Sequence, residues 1–306
     1  MSSAELSAPA LRASRRRYGE DVIKGMLALC AFVSVATTVG IVVALLLPAL
    51  DFFREISVVD FLTGKDWSPL FEPAHFGVLP LVAGTLVVTL WACLVALPLG
   101  LGAAIYLSEY ARPRVRSVLK PALEVLAGIP TVVFGFFALT FVTPLLRDLG
   151  VEVEIFNALA AGLVMGVLLI PIVASLSEDA MVAVPRELRD GAYALGSTRL
   201  QVSTRVVVPA AISGVTASFV LAISRAVGET MIVLIACGQR PNLTFDARQG
   251  METMTAFIGA TGAGDVPTGS IEYKTIFAVG LTLFVLTLVM NLFAIRLVRR
   301  FRQAYE

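Results

Sequence analysis

Long apolar runs alternate with shorter polar stretches along this chain. The runs fall at Met26–Leu50, Val78–Leu107, Leu123–Leu146, Ile155–Leu176, Ala210–Cys237 and Ile276–Val298. Each approaches or exceeds the roughly 20 residues that cross a hydrocarbon core as a helix. Backbone in hydrocarbon must satisfy its own hydrogen bonds, so the runs predict an all-α, polytopic membrane protein with six transmembrane helices. Between the fourth and fifth runs lies a polar island, Ser177–Pro209. Within it Pro185 suits the first turn of a helix and Gly196 suits its C-terminal end. Leu188, Ala192 and Leu195 fall at i, i+4 and i+7 on one stripe, while Arg186, Glu187, Arg189 and Asp190 point elsewhere. The spacing predicts a short amphipathic helix outside the bilayer. Such a helix can lie on lipid, connect two spans, or seat itself in a groove of another protein.

Composition agrees with the pattern. Of 306 residues, 57% are hydrophobic and 15% charged, with a mean hydropathy of +0.85; soluble domains average about 25% charged. The first run is too long for a signal peptide and has no convincing small-residue cleavage site, so it reads as a retained span behind a cytoplasmic tail of residues 1–24. Residues 25–306 then form one membrane domain. The placement of Lys and Arg orients it. Seventeen lie in the tail, in the second loop (Arg112, Arg114, Arg116, Lys120), in the polar island (Arg186, Arg189, Arg199, Arg205) and at the C-terminus, against six on the opposite side and Arg225 within a span. The positive-inside rule therefore predicts cytoplasmic termini and a cytoplasmic polar island. The outer loops, residues 51–77 and 238–275, read as exposed segments. Cys30, Cys93 and Cys237 sit in or at the end of apolar runs and predict neither a disulfide framework nor a metal site, and His75 stands alone.

Two intramembrane features call for chemistry. In the fifth run, AISRAVGETMIV, Arg225 and Glu229 share a helix face at i, i+4 and can pair. A charge inside a span should face protein or water, so the pair is either a structural bolt or a cation on an anion path tempered by a carboxylate. Ser224 and Thr230 add hydroxyls, and Gly228 permits close approach. In the third run, AGIPTVVFG places Pro130 and two glycines where a kink is expected, with Thr131 a candidate for the path. The chain carries no phosphate loop, no zinc-protease motif and no nucleophilic triad, so transport driven by ATP would need a nucleotide site on another chain.

Asp190-Gly191-Ala192, three residues, Gly196, nine residues, Val206, then Val208-Pro209 resembles the EAA loop of the permease subunits of binding-protein-dependent ABC importers. Asp190 and Gly191 stand where the family has Glu and Ala. The resemblance implies a type I ABC importer permease fold in which Leu188, Asp190, Gly191, Ala192, Leu195 and Gly196 belong to a coupling helix seated on an ATPase subunit. SRAVGETM (Ser224–Met231), AGIPTVVFG, Met254–Ala256 and the closing FAVGLTLFVLTLVMN are similar to the PstC family of phosphate-importer permeases. That similarity implies a companion permease PstA, two PstB ATPase subunits holding ATP and Mg, an external phosphate-binding protein PstS, a bacterial inner-membrane location and no cofactor in this chain. It also implies that Arg225 and Glu229 serve phosphate passage by alternating access. A permease for sulfate or molybdate, a secondary transporter working alone, and a scaffold or sensor of phosphate status are the alternatives.

Overall fold

A computed structural model describes residues 18–301. Most of the expected tail and its arginines lie outside the described residues, as does Arg302. The chain divides into two units after Leu47. In the first, the described residues 18–47 belong to α1 (Tyr18–Glu55), which starts ahead of the expected Met26. Its apolar residues occur on every face, the pattern of a helix surrounded by lipid. The last turns of α1 belong to the second unit, where Phe52 is fully buried.

The second unit continues with α2 (Val58–Thr63), an antiparallel pair of two-residue strands, β1 (Trp67–Ser68) and β2 (His75–Phe76), and the long α3 (Leu79–Ile105), which ends in a π turn at Tyr106–Tyr110. Next come α4 (Pro113–Ala127), α5 (Thr131–Phe137), a second π turn, and α6 (Thr143–Asp148). The expected span Leu123–Leu146 is therefore displaced. The missing N–H and extended ψ of 136° at Pro130 stop any helix running through it. The crossing segment is Thr131–Asp148, and α4 is a separate amphipathic helix with none of its residues buried.

α7 (Ala158–Val182) begins at Asn157, whose buried side chain accepts the Ala160 N–H at 2.7 Å and donates to Thr143 Oγ1 at 3.1 Å. The polar island then forms α8 (Arg186–Ala194), α9 (Arg199–Val202), a third π turn and α10 (Val208–Ala210). A bend of 73° separates this arm from α11 (Ile212–Val227). α12 (Met231–Ala236), α13 (Met254–Gly262) and α14 (Ile271–Phe301) complete the chain. Among the described residues five helices are long and apolar enough to span a membrane, and a sixth if the bent pair is one span.

α3 and α7 form the central pair, and small residues set their separation. A Cβ added at Gly162 would stand 2.7 Å from Trp91 Cβ, and one at Gly166 2.6 Å from Val95 Cβ. Neither site has room for a side chain, so the four-residue spacing of these glycines makes a close-packed seam. Three apolar clusters surround it. One lies among α3, α5, α7 and α12, a second joins Phe52, Phe61, Trp67 and Phe257 at one end, and a third joins Ala104, Met181, Val184, Val207 and Val215 at the other. The second corrects the reading of both outer loops as exposed, since Phe61 and Trp67 from one and Met254 and Phe257 from the other are buried in it.

Candidate functional site

The fifth apolar run is broken where its charges lie. α11 ends at Val227, Gly228 to Thr230 are unwound, and α12 starts at Met231. Arg225 and Glu229 thus do not share one continuous helix, as expected from their spacing. The pair still forms across the break, with Arg225 Nη2 3.7 Å from Glu229 Oε2. Arg225 occupies the last turn of α11, where a cation opposes the helix dipole. Its side chain is 43% exposed, that of Glu229 only 5%. The guanidinium is therefore held loosely by its partner and is partly exposed on this chain.

The break is supported rather than slack. Thr255 Oγ1 of α13 donates to the Glu229 carbonyl at 2.6 Å, and the Glu229 carboxylate accepts the Met231 N–H at 3.3 Å. Irregular backbone inside a span persists only against protein or water, which makes this stretch a place where a polar solute can be met. Ser224 is otherwise engaged: its hydroxyl donates to Asn291 Oδ1 of α14 at 2.7 Å. Thr230 Oγ1 donates to the Gly228 carbonyl at 3.4 Å. Thr131 opens α5, which packs on α12, but no hydrogen bond joins it to Arg225 or Glu229 among the described residues.

The polar island builds a second site. Pro185 is the residue just before α8 rather than its first residue. Gly196 has φ +81° and closes the helix, its N–H donating to Tyr193 O at 2.9 Å and that of Ser197 to Ala192 O at 3.1 Å. Ala192 packs on the apolar cluster of Ala104 and Met181. Leu188, Asp190 and Gly191 are exposed. Leu195, just past the helix, is 89% exposed and Leu200 64%, so the expected single stripe divides into an inward Ala192 and outward leucines. Arg189, expected to point away, turns inward. Its Nη1 donates to Val184 O at 2.6 Å, its Nη2 to Met181 O at 2.7 Å and to Glu109 Oε1 at 3.1 Å. Nearby, the fully buried Glu178 pairs with Arg116 and, at 2.8 Å, with Lys120. The hydrogen bonds of Lys120 to Asp179 and Glu178 raise its pKa above the ordinary lysine value.

A solvent-facing amphipathic helix lies at one end of a helical bundle and a broken, charged span lies within it, and comparison with known proteins identifies the type. Residues 96–303 match the family described as the binding-protein-dependent transport system inner membrane component. The chain belongs to that family. It is 35% identical over 281 residues to the probable ABC transporter permease protein YqgH of Bacillus subtilis, covering 90% of this chain and 91% of that protein. It is 32% identical over 249 residues to the phosphate transport system permease protein PstC of Mesorhizobium japonicum, covering 74% of each. A bacterial ABC transporter that imports the acidic polysaccharide alginate shares the fold, with a TM-score of 0.63 at 17% identity over 94% of this chain and 100% of that one. The chain is accordingly a membrane-spanning permease subunit with the type I ABC importer fold, and its relatives are transport subunits rather than enzymes.

Proposed function

We propose that this chain is the PstC-type half of an ATP-driven inorganic phosphate importer. The observation that carries the reading is the partly exposed guanidinium of Arg225 at a supported break in a span, in a family whose relatives include phosphate permeases. Phosphate cannot leave water for hydrocarbon without a partner. A guanidinium presents a planar fork that matches two phosphate oxygens. Glu229 beside it weakens the hold, so the anion can leave again. Both chain ends and the arm of α8 to α10 then face the cytoplasm of a bacterial inner membrane. There the exposed Leu195 and Leu200 meet one PstB subunit of a dimer that holds ATP and Mg, a PstA-type permease completes the path, and PstS delivers phosphate outside. ATP binding draws the coupling helices together and alternates access to the break.

Labelled phosphate uptake into vesicles carrying the four components, with sulfate and molybdate as competitors, tests the reading. ATP-dependent uptake that excess sulfate and molybdate leave unchanged is the expected result. Uptake of sulfate or molybdate in place of phosphate, or phosphate uptake by this chain alone, would refute it.

A further inference from the structure

The attachment of α8 to the rest of the molecule is narrow. None of its residues is buried, and Ala192 is its one contribution to an apolar cluster. Ala183 to Pro185 join it to α7, with Val184 buried in the third apolar cluster and the Ala183 and Val184 N–H groups bonded back to Asp179 O and Met181 O. One side chain of α8 adds a tie to a further element. Arg189 reaches the carbonyls of Met181 and Val184, at and just past the last turn of α7, where helix carbonyls lack partners within the helix and a cation is favoured. The same guanidinium pairs with Glu109, which sits on the π turn that ends α3. Glu109 is itself held, accepting Ser108 Oγ at 2.8 Å, and its side chain is 6% exposed. Arg189 is 17% exposed. Three acceptors that lie 5, 8 and 80 residues away thus meet on one planar group.

We propose that Arg189 is the strut that carries movement of α8 into α3 and α7 together, a positioning residue for coupled transport; this rests on the reading of α8 as the ATPase contact. A fork with three acceptors fixes the direction of a helix as well as its place. Since α3 and α7 share the glycine seam, a push delivered to both ends at once turns them as one body.

The test uses the complete transporter in vesicles and reads anion imported per ATP hydrolysed. Glu109→Ala cuts the link to α3 and leaves both carbonyl bonds. Arg189→Met cuts all three links, and Arg189→Lys keeps the charge without the fork. Expected is normal assembly, ATPase activity within about twofold of the parent, and import per ATP lower by about fivefold or more for Glu109→Ala and Arg189→Met, with Arg189→Lys between them and the parent. Unchanged import per ATP in Glu109→Ala overturns the proposal, and it does so even where Arg189→Met fails to assemble, because Arg189 is then only a helix cap. Equal losses of import and ATPase activity also overturn it. The ratio is scored on whichever oxyanion the parent imports, so a wrong substrate assignment and a wrong strut give different results.

Discussion

Replacing Arg225 by Gln separates a transport role from a structural one, because the two have different magnitudes. The ion pair is long, at 3.7 Å, and its cation is 43% exposed. Such a pair contributes about 0–1 kcal/mol. The carboxylate left behind retains the Met231 N–H, yet it is buried, and a buried charge without its partner is costly. The double variant Arg225→Gln/Glu229→Gln removes that residual charge and isolates the role of the guanidinium. A charge-assisted hydrogen bond to a passing anion is worth about 1.5–3 kcal/mol, which is roughly 10- to 150-fold in rate. Both variants should assemble, and both should lose uptake by about that factor, with Arg225→Lys losing less. The assay is initial uptake in vesicles normalised to assembled complex. Restoration of uptake in the double variant would refute the reasoning, since it would make the pair a bolt whose only harm is an orphaned carboxylate.

Two further outcomes follow from the packing. Gly166→Ala places a Cβ 2.6 Å from Val95 Cβ, so it should destabilise the α3–α7 seam by about 1–3 kcal/mol, read as a lower melting temperature of the purified complex, whereas the same change at Gly191, where nothing lies within 4 Å, should not. Burial pushes Glu252, in the segment between α12 and α13, from 4.5 up to about 7. A carboxyl whose folded pKa is raised contributes nothing against folding below about 4.5 and costs stability progressively as pH climbs to about 7. Glu252→Gln should therefore raise the melting temperature at pH 8 by the equivalent of up to about 3 kcal/mol and change little at pH 4. An equal effect at both pH values would show that the carboxyl does not titrate in this window.

Apolar run length made the spans legible, because hydrocarbon thickness dictates it and the residues report it directly. The helix of the polar island was legible for a similar reason: Pro185 and Gly196 act through their own backbones. Pro130 was visible as a breaker, but whether it kinks a span or ends one depends on where α4 finds an apolar support. The unwinding at Gly228 to Thr230 was hidden because its support, Thr255, arrives from α13, a short helix inside the stretch that read as an exposed outer loop. Arg189 was hidden for the same reason. One partner, Glu109, lies 80 residues away, and the others are backbone carbonyls, which no sequence pattern displays.

The glycine seam also has a mechanical scale. α3 is 27 residues long and α7 is 25, which at 1.5 Å per residue gives rods of about 40 and 37 Å. Close-packed interfaces resist compression, so the two helices hold their separation along the seam. A tilt of about 10° at the Arg189 end carries the far end through about 7 Å, more than the roughly 5–6 Å radius of a helix with its side chains. If Arg189 acts as proposed, a small rotation under α8 would be amplified into a displacement on the scale of one helix moving clear of its neighbour, and the amplification would reside in the length of the spans.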